Sequence, residues 1–257
     1  MKNILLLFLS LSFGVIIAQQ RKLRTPLWTT HSKNTDIVGI SFGILPKTVF
    51  NDSTLTRTYG IRLEIPGLGV LLPLIPKSPL STSDEEHENE LNFEPSEIVY
   101  GVNLSSGSTS EILVNGVSGA FIGQHFIKMN GIAISGIGNI IEKQNGAALS
   151  ILGNNCYTIN GISGGILGNY AKKLNGVQLG AFNLASLAKG VQIGIQNNNT
   201  KKPFSIRGTQ LGVLNYASDV HGIQIGLFNS SSSLKGIQIG LWNKNNKRNL
   251  PFINWCF

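Results

Sequence analysis

The sequence predicts an all-β repeat fold, a β-solenoid with coils of 14–15 residues, and three observations predict it. First, a glycine recurs at Gly101, Gly116, Gly131, Gly146, Gly161, Gly176, Gly190, Gly208, Gly222 and Gly236, in steps of 15, 15, 15, 15, 15, 14, 18, 14 and 14 residues. Second, apolar residues alternate with Gln or Gly after it, as in Ile223, Ile225 and Leu227 around Gln224 and Gly226. Third, two turn signals fall in each unit. A period this short marks a repeat array, and strict alternation marks strands rather than helices.

The best units read Asn175 to Asn183, His221 to Asn229 and Lys235 to Asn243. Each opens on Asn-Gly, His-Gly or Lys-Gly, where glycine accepts the positive φ of a corner. A second corner follows at Asn183, Asn215, Asn229 or Asn243, or at Gly138-Asn139, Gly153-Asn154 and Gly168-Asn169 in earlier units. In a solenoid, equivalent residues stack into ladders about 4.8 Å apart. The alternation is expected to place Val, Ile and Leu inward, Asn at the corner and Gln178, Gln192, Gln210, Gln224 and Gln238 outward. The alternative is an integral, porin-like outer-membrane β-barrel. Its strands need roughly 9–11 alternating residues, whereas here the alternation stops sooner.

The chain divides into 1–18, 19–97 and 98–257. Residues 1–18 read as a signal peptide: Lys2, an apolar run from Ile4 to Ile17, then Ala18. Export to the outer membrane or cell surface is the expectation. Residues 19–97 read as a capping region, although Val38–Leu45 and Tyr59–Pro66 resemble the repeat strand and place the start of the array near residue 37. The apolar, proline-punctuated stretch from Pro66 to Pro76 is expected to cap the first coil, or to touch a membrane. Residues 81–97 hold seven of the thirteen acids and read as a solvated loop.

The formal net charge is +8, and from residue 98 onward twelve Lys and Arg face only Glu111, Glu142 and Asp219. Such a surface keeps a β-rich protein soluble or attracts an anionic envelope polysaccharide. Export and the lack of a basic run with interleaved aromatics argue against nucleic acid. Lys201, Lys202 and Arg207, around a longer step in the array, join the five glutamines as the candidate interaction surface. Cys156 and Cys256 lie far apart in the array, and Cys156 reads as a small core residue. No nucleophile, phosphate-loop or metal-ligand motif is present, so no enzyme activity, cofactor or metal is expected. Parallel β-helix lyases need clustered carboxylates, and three acids in separate units do not supply them.

Units of the form (N/K)-G-(V/I)-Q-(I/L)-G-(L/A)-(F/W)-N, clearest in the last four coils, resemble the bacterial surface-repeat-containing proteins of Gram-negative envelopes. The resemblance implies an exported, surface-associated repeat protein and brings no ligand or site residue with it. The terminal Pro251–Phe257 reads as a strand closing the array, or as the C-terminal signal of a barrel.

Overall fold

The computed structural model describes residues 21–50, 52–199 and 205–257; residues 1–18, expected above to be a signal peptide, and Lys201 and Lys202 lie outside the described residues. Fourteen strands form one sheet: β1 (Lys22–Arg24), β2 (Leu27–Thr29), β3 (Thr35–Gly43), β4 (Thr56–Glu64), β5 (Glu97–Ser105), β6 (Ile112–Ala120), β7 (Gly123–Ser135), β8 (Gly138–Ser150), β9 (Gly153–Gly165), β10 (Gly168–Leu179), β11 (Phe182–Asn199), β12 (Ser205–Ile225), β13 (Phe228–Lys244) and β14 (Asn249–Cys256). Neighbours follow chain order and pair in parallel from β3 to β13. The chain is a β-solenoid of about 14 turns. The barrel alternative, and the pore with it, is overturned: barrel strands run antiparallel and close on the first strand, whereas this sheet is open from β1 to β14.

The register is carried by glycine. Gly39, Gly60 and the ten sequence-predicted glycines form one column, each with φ between 123° and 148°. At Gly176 a Cβ would stand 1.9 Å from the carbonyl oxygen of Gly161, so the column excludes any side chain. The array therefore begins at Thr35, and β3 and β4 are coils rather than a separate cap. Below them β1 and β2 make a partial coil in which Pro26 underlies Gly39. At the far end β14 pairs antiparallel with β13 and closes the stack, which ends the edge that a further coil would extend.

Inside and outside are the reverse of the sequence expectation. Gln178, Gln192, Gln210, Gln224 and Gln238 are fully buried in the bore, while Leu179, Ile193, Leu211, Ile225 and Ile239 between them face out. Each glutamine after Gln178 donates from Nε2 to Oε1 one coil earlier, at 2.8, 3.0, 2.7 and 2.7 Å, and Asn254 of β14 continues the line at 3.1 Å. The corner asparagines form a second buried ladder of opposite sense. From Gln124 through Asn139, Asn154, Asn169, Asn183, Asn197, Asn215 and Asn229 to Asn243, each amide donates to the next at 2.7–3.1 Å. A buried amide is unfavourable only when unpaired, and stacking gives each one an identical partner. The apolar core is narrow and lies on the other inward columns: Val99, Val114, Met129, Ile159 and Leu174 in one, Phe126, Ile141, Cys156, Ala171 and Ala185 in the other.

Gly176→Ala is expected to prevent the neighbouring coils from pairing and to lower the melting temperature by more than 10 °C, by circular dichroism. Asn197→Ala removes donation to Asn215 and to the Leu211 carbonyl and takes one acceptor from the Asn183 amide, which keeps the Ile193 and Gly180 carbonyls. We expect a loss of about 2–3 kcal/mol in urea unfolding.

Candidate functional site

The candidate surface built on outward glutamines does not exist, because all five are buried. Of the other three predicted residues, Arg207 is exposed on the margin described below, and Lys201 and Lys202 lie outside the described residues. What the coils present to solvent instead is an apolar sheet face. The first and third residues after each of the twelve glycines form two outward columns, running from Ile40 to Ile237 and from Phe42 to Ile239. Of these twenty-four positions only Thr209 has a polar side chain, and none is charged. Ile132, Ile162, Ile134, Leu179, Ile193 and Ile225 are each 38–46% exposed. Leu27 of β2 and Trp255 and Ile253 of β14 extend the face at its two ends.

The face is flat. Its two glycine positions, Gly119 and Gly164, are covered by the leucine of the preceding coil: the Cδ2 atoms of Leu104 and Leu149 lie 3.1 and 2.9 Å from where a Cβ would be. The residue preceding each column glycine lines one margin. In the first half it is Val38, Tyr59, Tyr100 and then an asparagine ladder from Asn115 to Asn175 with amide bonds of 2.7–2.9 Å. In the last four coils it is Lys189, Arg207, His221 and Lys235. Tyr59 and Tyr100 are stacked, with centroids 5.1 Å apart, and both are exposed.

A second cluster occupies the opposite flank and was missed by sequence reasoning. Residues 65–96, inserted between β4 and β5, do not cap the first coil; they run as a strap along the side of the stack. A 3-10 turn (Leu68–Leu74) is seated by Gly69 against Gly107, where any Cβ would lie 2.4 Å from the Gly107 carbonyl carbon. The acidic segment is not a solvated loop but contains helix α1 (Asp84–Glu90). Ser83 caps it by accepting from the Glu86 amide at 3.1 Å, and the Glu86 carboxylate accepts from Thr82. The Ser83-x-x-Glu86 spacing is the local signal that could have disclosed this helix.

The helix carries His87 into the flank. His87 Nδ1 lies 2.6 Å from Glu142, whose other oxygen accepts from the Ser81 amide and hydroxyl, and the imidazole stacks on Tyr157 at 3.9 Å. The Tyr157 hydroxyl donates to Asp84 and accepts from Lys172 at 2.6 Å. That hydroxyl, with the Lys173 ammonium 3.2 Å from the carboxylate, holds the Asp84 carboxyl down at about 2. Burial, reinforced by Asp84, pushes the Tyr157 phenol up. These contacts hold the strap against the stack. Among the described residues no group of three or more His, Cys, Asp or Glu is placed to hold a metal ion, and no helix is long and apolar enough to cross a membrane. Both cysteines are free; Cys156 is fully buried and its thiol is pushed up to about 12 by burial.

The fold and its surface define a β-solenoid with one apolar face, one divided margin and a strapped flank. Compared with known protein families, curated proteins and solved structures, the chain shows no match.

His125, mostly buried on the strapped flank, is held neutral by burial, its pKa brought down from 6.5 to about 4. The unfolded chain thus binds a proton between those values that the native chain refuses. Stability is full above about pH 7 and falls as pH drops from 6.5 towards 4, by at most about 3 kcal/mol. His125→Gln is expected to flatten that part of the pH profile in urea titrations.

Proposed function

We propose that the chain is a non-enzymatic, exported envelope protein that works by docking, with the outward apolar face as its contact surface. One observation carries this reading: twenty-four stacked surface positions hold one hydroxyl and no charge. Soluble monomers rarely expose continuous apolar patches beyond a few hundred Å², and larger ones mark interaction sites. The repeat makes the surface long and uniform, and the paired amides of the bore hold it rigid. Likeness of the last coils to surface-repeat proteins and the leader-like first eighteen residues support export.

A second surface fits the same role. Lys189, Arg207 and Lys235 share one column with His221, at coil steps of about 4.8 Å, and three cations held so close favour an extended anionic polymer such as an envelope polysaccharide. Binding there is expected to fall steeply with salt.

Fractionation of a Gram-negative host should recover the chain in the envelope and release it with alkaline carbonate; recovery in the cytosol would overturn export. Ile193→Glu with Ile225→Glu, both on the face, should leave the far-ultraviolet spectrum unchanged and abolish envelope retention. Retention by the double variant would overturn docking through this face.

A further inference from the structure

We propose that the apolar face is covered by a second copy of this chain, packed face to face with the two solenoids antiparallel. The inference rests on the docking reading above and names its partner. The area suffices. Twelve coils at ~4.8 Å give a strip roughly 55 Å long, and two columns about 7 Å apart make it about 14 Å wide. Two such strips bury about 1,500 Å² together, inside the ~1,200–2,000 Å² of stable specific interfaces. The shape suits a sheet. Leu104 and Leu149 level the two glycine positions, and flat sheets pack about 10 Å apart through interdigitated side chains. The spacing is self-matching as well, since a second copy repeats at the same rise along the whole strip.

The margin fixes the direction. About a two-fold axis parallel to the strands, the coil of Gly236 faces that of Gly39 in the partner copy, Gly222 faces Gly60, Gly208 faces Gly101 and Gly190 faces Gly116. Lys235 then lies opposite Val38, His221 opposite Tyr59, Arg207 opposite Tyr100 and Lys189 opposite Asn115. No cation meets a cation, and Arg207 reaches the exposed, stacked Tyr59–Tyr100 pair, an arrangement that favours a guanidinium over the ring face. A parallel arrangement sets this margin against the corner after the face and makes no such match. An anionic lipid surface would be served by cations along the whole margin, and here they are confined to four coils.

The test is sedimentation of the full mature chain at micromolar concentration, with and without vesicles of phosphatidylglycerol and phosphatidylethanolamine. The wild type should sediment as a dimer. Ile134→Glu with Leu179→Glu, which face each other across the axis, should give a folded monomer. Arg207→Glu should weaken the dimer about tenfold, and adding Tyr100→Arg to it should restore affinity. These two residues are seven coils apart in one chain, so rescue reports contact between copies. A dimer loosened by the face substitutions but not rescued overturns the antiparallel direction. A dimer that the face substitutions leave intact overturns the face-to-face contact. A monomer that binds vesicles through the face overturns the second copy while leaving the docking reading standing. A monomer that binds none overturns both.

Discussion

The register of the glycine column governs everything else in this molecule. Each column glycine after Gly39 packs its α-carbon against the carbonyl of the glycine one coil earlier, closer than any Cβ permits. That contact fixes both the corner and the vertical alignment of the coil, so residues at equal steps from the glycine stack directly. Once they stack, an asparagine meets an asparagine and a glutamine a glutamine. Amides that would be unfavourable singly become a continuous hydrogen-bonded line. The two buried ladders run in opposite senses, the corner asparagines donating towards the C-terminal end and the glutamines towards the N-terminal end. Their side-chain dipoles oppose each other across the bore.

The bore also trades volume along its axis. Where Phe126 and Ile141 fill one inward column, the facing column carries Ala133 and Ala148. Where the facing column becomes Gln178 and Gln192, the first shrinks to Ala171 and Ala185. Nearer the N-terminal end the same inward column carries Arg62, buried between Glu97 and Glu64 and bonded to Asn103 at 3.0 Å. Burial opposes its charge, but the two carboxylates outweigh it and hold the guanidinium protonated. Lys47, buried below, is satisfied by the carbonyls of Ser32 and Thr54 and the hydroxyl of Thr56, and its pKa is lowered by burial. Below the ladders, charge and hydrogen bonding take over the filling of the bore.

Much of this was legible in the sequence, and the illegible part has a single cause. Coil length, the glycine corner, the asparagine corner, the core position of Cys156 and the closing strand all follow from spacing and residue type. Alternation, however, defines two faces without saying which points inward. The usual inference, apolar inside, assumes that a buried amide lacks a partner, and translational stacking removes that assumption. The repeats do contain a hint. Gln178, Gln192, Gln210, Gln224 and Gln238 are identical across five coils, as a ladder requires, while the residue before each varies among Val, Thr and Ile. The strap was hidden because its partners lie far away in sequence: Glu142, Tyr157 and Lys172 are 55 to 90 residues from the groups they bind. Only its capping residues were local.

A polar bore has a consequence for the outside. Each coil has few inward positions, and the last five spend two of theirs on amides. Their aliphatic residues, Ile193, Leu211 and Ile225 among them, are displaced to the surface at the ladder spacing. The hydrophobic free energy that a conventional core collects within one chain is thus left uncollected along a flat strip, at roughly 25 cal/mol for each Å² kept in water. The bore supplies order and direction; the apolar gain remains for whatever meets the face. A rigid plate whose apolar surface repeats at the coil rise matches a partner with the same rise, and a second copy of the chain has that rise by construction.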